Sequence, residues 1–475
     1  MSYGSISILI PIFVILVASF TKRIIPAITI GILIGGIFLE NGNVLKGIVT
    51  ATNYLVKAVT NEESICTVMF LFVFGAFGEI IKVAGGIKGF TNFAKKYVKS
   101  EKGALGSVWI SSLFTFIDCC FHAISSGMIG KALIDKVGGN KYRLAHVINV
   151  TSCLLIILIP FGTTYVGYIV SVISLALSKT NLNISPYSLF VQSIPFNFYA
   201  IIMTFISIGV TVFNFGFNNK SKIFKGNNNF KETENFSHHS HEECEFEEKA
   251  SPRAINLIFP LILLIASTLF FFWYLGKDKE SNFFNIIMNT EFEKAILISS
   301  ILTLVVTCVF YLFQKIPLSE IESHFLSGGK DLIQPIIVLI MSWGLSSIIG
   351  ELGFAEFITS KISSNLPEFL IPAIIFLIGC IVSYFIGSAW GTWSLLMPIA
   401  LPLAVSTNSA LPLIVGAVLA GGSLGDNASP LGETVILSST VSEVPIMDHV
   451  RTQLPYSLSA IAISTLLFIV SAVIL

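Results

Sequence analysis

Gly421-Gly422-Ser423-Leu424-Gly425-Asp426-Asn427-Ala428-Ser429-Pro430-Leu431-Gly432-Glu433-Thr434 lies between two apolar runs and carries two carboxylates, a proline, an asparagine and no basic residue. In a soluble chain it would read as a loop. Here 54% of the 475 residues are hydrophobic, only 12% are charged, and 40 are phenylalanine. Soluble domains carry about a quarter charged residues. Repeated apolar runs are long enough to cross a bilayer core of about 30 Å. The stretch therefore reads as polar backbone held at membrane depth, and a buried carboxylate there is by default functional because it costs several kcal/mol.

Outward from this stretch, the expected apolar spans are 5–20, 24–40, 65–84, 104–129, 144–178, 187–217, 254–276, 293–313, 332–350, 368–405, 408–440 and 455–475. Shorter amphipathic segments are expected at 44–60, 87–99 and 353–365. The alternation of a barrel strand is missing. The fold class is thus an all-α polytopic membrane protein of about 10–12 transmembrane helices. The run Ser5 to Phe20 lacks a basic flank and a small-residue cleavage site, and is expected to be a retained helix. Six of the seven cysteines sit in apolar runs and read as packing residues.

Two halves are expected, 1–217 and 254–475, joined by a polar linker at 218–253 placed in the cytoplasm. Pro160-Phe161-Gly162-Thr163-Thr164 resembles Pro430-Leu431-Gly432-Glu433-Thr434 at an offset of 270 residues; Gly86 and Phe90 match Gly353 and Phe357 at 267, and Met128 matches Met397 at 269. Keeping Lys22, Arg23, Lys88, Lys95, Lys96, Lys99, Lys102, Lys131, Lys136, Lys141 and Arg143 cytoplasmic requires an outside N-terminus and a re-entrant hairpin at 104–129. The third span then runs inward and 332–350 runs outward, which makes the repeats inverted, with discontinuous helices, as in many secondary transporters. His238, His239, His241 and Cys244 in the linker match no standard zinc spacing and read as a solvated loop.

The candidate binding residues follow from oxygen chemistry. Asp426 and Glu433 are seven apart, so one helical face would present both, while Pro430 argues for a break that frees carbonyls. Carboxylate, carbonyl and hydroxyl oxygens suit a hard cation, and a carboxylate also takes a proton. Asn427, Ser429 and Thr434 flank them. Gly387-Ser388-Ala389-Trp390-Gly391-Thr392 interrupts another span, with Ser388 and Thr392 on one face and Pro398 and Pro402 beyond. In the first half, Asp118 and His122, at i and i+4, are placed to meet, and Asn149, Thr163 and Thr164 add neutral oxygens. Asp426, Thr392 and Asp118 are the expected Na+ ligands. Glu79 and Lys82 read as interfacial or paired, and Asp448, His449 and Arg451 as an interface, gate or cap.

Gly421 to Ser439, Asp448-His449-Val450-Arg451-Thr452-Gln453-Leu454-Pro455-Tyr456 and Gly387 to Thr392 together resemble the signature of the NhaC-type sodium/proton antiporter family, over roughly residues 385–460. The resemblance implies a secondary transporter that exchanges Na+ for H+; some members of the family move organic acids or amino acids with these ions. It carries site roles to Asp426, Ser429 and Thr434, and less closely to Glu433, where the family more often has Asp. Asn427 stands where the family has His, and Asn149 where it has a carboxylate. Of an acidic run in the first half only Asp118 remains.

The expected function is a sodium/proton antiporter of the cytoplasmic membrane, and the alternative is a sodium- or proton-coupled symporter or exchanger of an amino acid or small organic acid. No cofactor is expected beyond the transported Na+ and H+, and no nucleotide loop of the Gly-x-x-x-x-Gly-Lys-Ser/Thr type occurs. An enzyme is not expected: His-Glu-x-x-His is missing. The expected partners are the lipid bilayer, small cations and, under the alternative, an organic solute, with a homodimer left open. Zero net charge argues against nucleic acid.

Overall fold

The structure, a computed structural model, describes residues 4–21, 23–178, 180, 182, 184–213, 253–277, 286, 290–353 and 367–475. Residues 218–252 of the expected linker, with its histidines and Cys244, and nearly all of the segment 353–365 lie outside these residues. The helices are α1 (Gly4–Thr21), α2 (Ile24–Leu39), α3 (Val44–Thr60), α4 (Glu62–Val83), α5 (Gly86–Tyr97), α6 (Glu101–Thr115), α7 (Cys119–Val137), α8 (Lys141–Asn149), α9 (Thr164–Leu177), α10 (Pro186–Ser193), α11 (Phe198–Phe213), α12 (Ile255–Gly276), α13 (Phe292–Phe313), α14 (Leu318–Asp331), α15 (Ile333–Glu351), α16 (Ile371–Ile386), α17 (Ala389–Ser406), α18 (Leu411–Ala428), α19 (Glu433–Val441) and α20 (Ile446–Ile474). The described residues contain no strand. Nine helical stretches among them are long and apolar enough to cross a bilayer, or eleven if two bent pairs each count as one span. The chain is a multi-pass membrane protein.

Several expected spans are broken, each for a local reason. The run 144–178 divides into α8, a π-turn (Val150–Leu155), a short 3-10 turn and α9. Pro160 has no amide to donate, and Gly162 takes a left-handed φ of 68° between the two parts. The run 368–405 breaks at Gly387, with φ 72°, and Ser388. Pro398 and Pro402, expected to mark that break, instead lie inside α17. The run 408–440 divides into α18 and α19 around Ser429 to Gly432. Asp426 and Glu433 are therefore on two helices, not one helical face. The run 187–217 bends by 50° near Asn197, and α3 turns 118° from α2. In the run 104–129, α6 stops at Thr115, α7 starts at Cys119, and the two pack against each other as a helical hairpin. Helix α14 has no counterpart among the expected spans, because its Glu, Ser, His and Lys residues interrupt the apolar pattern.

The same order of elements occurs twice. Glu101 and Ile371 open α6 and α16, Cys119 and Ala389 open α7 and α17, and Lys141 and Leu411 open α8 and α18, each pair 270 residues apart. The contacts between copies are reciprocal. Helix α7 packs on α19, and its counterpart α17 packs on α9; α4 packs on α13 and α14, and its counterpart α15 packs on α2 and α3. Reciprocity of this kind is what a two-fold relation between similar units produces. Outside this pairing, Glu443, between α19 and α20, accepts hydrogen bonds from Lys131 of α7 and from Lys141, the latter at 2.5 Å. The two ammonium groups, Lys131 first, hold its carboxyl down at about 2, so this tie persists at neutral pH and is lost only as the pH falls from the ordinary carboxylate range through that value.

Close backbone approach sets the packing of α16 on α18. A Cβ at Gly421 would sit 2.5 Å from the Phe376 carbonyl oxygen and 3.0 Å from the Gly379 Cα. Both are backbone atoms, so a side chain there forces the helices apart. Gly421→Val is expected to lower the thermal midpoint in detergent, by about 1–3 kcal/mol of stability. Gly106→Ala, where a Cβ meets nothing within 4 Å, serves as the comparison and should hold or raise the midpoint. Equal losses in both variants would refute the close-packing account.

Candidate functional site

Four helix starts meet inside the bundle. Asp118 caps α7: its Oδ1 accepts from the Cys120 and Phe121 amides at 2.9 and 3.0 Å. Thr163 caps α9 through the Val166 amide at 3.1 Å, and Ser388 caps α17 through the Gly391 amide at 3.3 Å. Gly432 precedes α19 without a side-chain cap. Such caps are the expected chemistry for orphan amides at a helix start. Links between the starts are direct. Thr164 Oγ1 donates to Asp118 Oδ2 at 3.0 Å, and the Thr164 amide donates to the Ile117 carbonyl at 2.9 Å. Glu433, the first residue of α19, stands on the Cys120 side of the α7 start.

Asp426 lies at the centre of this meeting point, in the last turn of α18 and 3% exposed. Its Oδ1 accepts from the Ala389 amide, the first of α17, at 3.3 Å, and its Oδ2 from the Tyr165 hydroxyl of α9 at 3.3 Å. Its backbone carbonyl accepts from Thr434 Oγ1 across the break. Among the described residues no Lys, Arg or His stands within ion-pair distance of Asp426, Asp118 or Glu433. Two partly covered carboxylates elsewhere do have basic partners: Glu79 takes Lys82 at 2.5 Å, and Glu101 takes Arg143 at 3.3 Å. Glu79 and Lys82 are thus paired, the second of the two roles read for them.

Asn427 organises a neutral network beside Asp426. Its Nδ2 donates to Asn149 Oδ1 at 3.0 Å, and its Oδ1 accepts from the Tyr199 hydroxyl at 2.7 Å and from Ser457 at 3.4 Å. Its carbonyl accepts from Gln453 Nε2 at 2.6 Å and Asn149 Nδ2 at 3.3 Å. Beyond Asn149 lies His449, whose Nε2 is 3.4 Å from Asn149 Nδ2 and 3.3 Å from Ser438 Oγ. Asn149 ends α8 where the π-turn begins, and π-turns inside helices are frequent at functional sites.

Asp118, Thr164, Asp426, Glu433, Thr434, Asn427, Asn149 and Ser388 are therefore brought together. Thr392 Oγ1 is spent on the Ser388 carbonyl at 2.8 Å, one turn into α17. Ser429 Oγ accepts from the Leu431 amide and shapes the break. His122 does not meet Asp118. Its ring is fixed between Thr115 at 2.5 Å and Thr151 at 2.9 Å, while Asp118 faces the amides of its own helix and Thr164. As N-cap, Asp118 lies outside the regular helix, so the i, i+4 spacing does not apply.

Residues that the pattern did not single out also line the site. Tyr165, Tyr199 and Ser457 sit in apolar or amphipathic runs, and only their hydroxyl partners reveal them, while Gln453 belongs to the quoted run from Asp448 to Tyr456 but carried no role there. Tyr165 packs edge-on against Trp390 and Trp393 at 4.8 and 5.2 Å, and the Tyr168 hydroxyl donates to the Trp390 carbonyl at 2.9 Å. His449 was readable beside Asp448, but its buried position was not; Asp448 itself pairs with Arg451 at the surface, at 3.7 Å. Gly421 to Gly425 also has the Gly-x-Ser-x-Gly spacing of a hydrolase elbow. It lies inside α18, however, with Ser423 Oγ donating to the Leu419 carbonyl at 2.8 Å, and so presents no exposed nucleophile.

The model of the Na+/H+ antiporter family matches residues 155–473. An uncharacterized protein of Haemophilus influenzae is 27% identical over 481 residues, which cover 98% of this chain and 90% of its own length. The malate-2H(+)/Na(+)-lactate antiporter of Bacillus subtilis is 30% identical over 202 residues, 38% of this chain and 43% of that protein. Among solved structures, Neisseria gonorrhoeae MtrF, described with a class of antimetabolite efflux pumps, superposes with a TM-score of 0.56 at 13% identity, over 90% of this chain and 85% of its own. That likeness concerns the fold.

Tyr165→Phe removes one donor from Asp426 and keeps the ring packed on the two tryptophans. A hydrogen bond to a charged group contributes about 1.5–3 kcal/mol. The variant is expected to keep its thermal midpoint without sodium and to need about ten-fold more sodium for any sodium-dependent rise of that midpoint. An unchanged sodium titration would remove Tyr165 from the site.

Proposed function

The chain belongs to the Na+/H+ antiporter family, and from this premise we propose that it exchanges Na+ for H+ across the cytoplasmic membrane, with Asp426 as the principal carrier. The observation that supports this most is the buried Asp426 carboxylate with oxygen neighbours and no basic partner among the described residues. A buried charge without a partner is strongly destabilising. Either of two ligands removes the problem: a proton neutralises the group, or a sodium ion pairs with it. Both claim the same oxygen atoms, so one leaves as the other arrives, and that competition is the coupling. Asp118, Glu433, Thr164 and Thr434 supply further oxygens around the cation path, and Asn149 and Asn427 hold the α18 end in place.

Access alternates when the first repeat, in 1–217, and the second, in 254–475, rock against one another around the broken helices. The reciprocal packing of α7 on α19 and α17 on α9 supports such a movement, because a two-fold scaffold has a second arrangement with the roles of the repeats exchanged.

A second reading has its own support. The starts of α7, α9, α17 and α19 carry the positive ends of four helix dipoles, which favour an anion. The half-helix starts of transporters hold substrate carboxylates in this way. An organic acid or amino acid moving with Na+ or H+ would use them, and the relative from Bacillus subtilis is named for malate and lactate.

Reconstitution separates the two readings. In proteoliposomes without organic solute, an imposed sodium gradient is expected to drive proton flux, and Asp426→Asn to abolish it while leaving the amount and thermal midpoint of the protein unchanged. Flux that appears only on adding a dicarboxylate or amino acid would favour the second reading. Full activity of Asp426→Asn would remove the central residue from both.

A further inference from the structure

Cys119 and Cys120 stand at the junction between the two repeats rather than in a packing seam. They are the first two residues of α7, directly after its cap Asp118. The two sulfurs are 3.7 Å apart, and Cys119 Sγ is 4.0 Å from Asp118 Oδ2. One ligand atom from each of the three residues lies within 4.8 Å of the others. Glu433, at the start of α19, stands on the Cys120 side but outside this group of three. Two sulfurs on one tetrahedral zinc, at Zn–S of about 2.3 Å, stand about 3.8 Å apart. The observed sulfur separation thus fits a shared metal without rearrangement.

The donors are also free for this use. Asp118 Oδ1 is spent on the Cys120 and Phe121 amides, but Oδ2 has only the Thr164 hydroxyl and the Cys119 thiol beside it. The cap bonds lock the carboxylate in orientation. Cys120 is half-buried and Glu433 is exposed, so the cluster opens on the Glu433 side while Cys119 and Asp118 are buried. Two thiols and two carboxylates form a soft, anionic donor set that selects Zn2+ or Cd2+ over Na+ or Mg2+. The cysteines Cys66, Cys308 and Cys380 stand singly on other helices.

We propose that Asp118, Cys119 and Cys120 form a binding site for a soft divalent cation of the Zn2+ or Cd2+ class, with Glu433 drawn in from α19 as the fourth ligand when the ion binds. Binding exchanges the two thiol protons, released to solvent, for two metal–sulfur bonds, with no change of oxidation state. The bound ion ties the first turn of α7 to the first residue of α19, and so one repeat to the other. Binding stands independently of the exchange reading; the arrest of exchange that such a tie would cause rests on it.

Titration of the purified full chain with Cd2+ tests the site without any transport measurement. The expected result is one Cd2+ per chain by elemental analysis, with a thiolate-to-metal charge-transfer band in the ultraviolet. Cys119→Ser/Cys120→Ser is expected to lose the band, Asp118→Asn and Glu433→Gln to weaken binding by about ten-fold or more each, and Cys66→Ser/Cys308→Ser/Cys380→Ser to retain it. No band in the wild type, or a band that survives in the double-serine variant, overturns the site. Should the double variant fail to fold, alkylation of the wild type followed by mass spectrometry decides: Cd2+ must protect Cys119 and Cys120, and unprotected thiols overturn the site. Cd2+ block of sodium-driven proton flux is the separate transport arm. A chain that binds Cd2+ yet shows no such flux in its absence keeps the site and sinks the exchange reading.

Discussion

Asp426 places a carboxylate inside a membrane bundle with an amide and a hydroxyl as its donors and, among the described residues, no basic partner within reach. Removing such a charge from water costs several kcal/mol even after relaxation. A continuous helix offers no relief, since its amides are used along its own axis. Relief comes from a helix that begins at that depth, because its first amides are unspent and carry the positive end of the dipole. The Ala389 amide is one of these. The break at 387–388 supplies it, and this break and those at 116–118, 159–163 and 429–432 each create backbone groups that must themselves be satisfied. Asp118, Thr163 and Ser388 take the amides; Thr434, Gln453 and Asn149 take the carbonyls at the end of α18.

The two-fold arrangement makes these breaks mutually supporting. Within the first repeat, the Thr164 amide and hydroxyl hold the hairpin tip between α6 and α7. Within the second, Gly387 at the tip between α16 and α17 lies so close to Leu431 that a Cβ would stand 2.5 Å from it. Each tip rests on the break of its own repeat, while the helices leaving those breaks pack on the other repeat, α7 on α19 and α17 on α9. A movement of one repeat therefore disturbs both breaks together. This is the mechanical link that a site emptied from either side requires.

Much of this was legible in the sequence, and the residues show why the rest was not. The polar stretch from Gly421 to Thr434, the Pro160 to Thr164 run and their 270-residue offset announced broken, repeated helices, because proline, glycine and carboxylates have few other reasons to interrupt apolar runs. Ser388 was visible for the same cause. The i, i+4 spacing of Asp118 and His122 misled, since spacing assumes a helix that begins only at Cys119. The seven-residue spacing of Asp426 and Glu433 misled likewise across Pro430. Tyr165 and Tyr199 gave no pattern at all: a tyrosine in an apolar run has the same periodicity whether its hydroxyl meets a carboxylate or a lipid.

The symmetric scaffold carries an asymmetric chemistry, and that asymmetry sets its present state. Asp118 corresponds by position to Ser388, and Thr163 to Glu433. The junction of α7 with α19 thus collects two carboxylates and two thiols, whereas the junction of α9 with α17 collects two hydroxyls and the rings of Tyr165 and Trp390. Glu433 is exposed, while Thr163, Tyr165 and Trp390 are 0%, 1% and 5% exposed. Of the two junctions the charged one is open at Glu433 and the aromatic one is closed. Closing the charged junction would cover Glu433 as Asp118 is already covered, and would leave both carboxylates dry. Two like charges cannot share a dry site without a proton or a cation between them, which ties that closure to the arrival of one or the other.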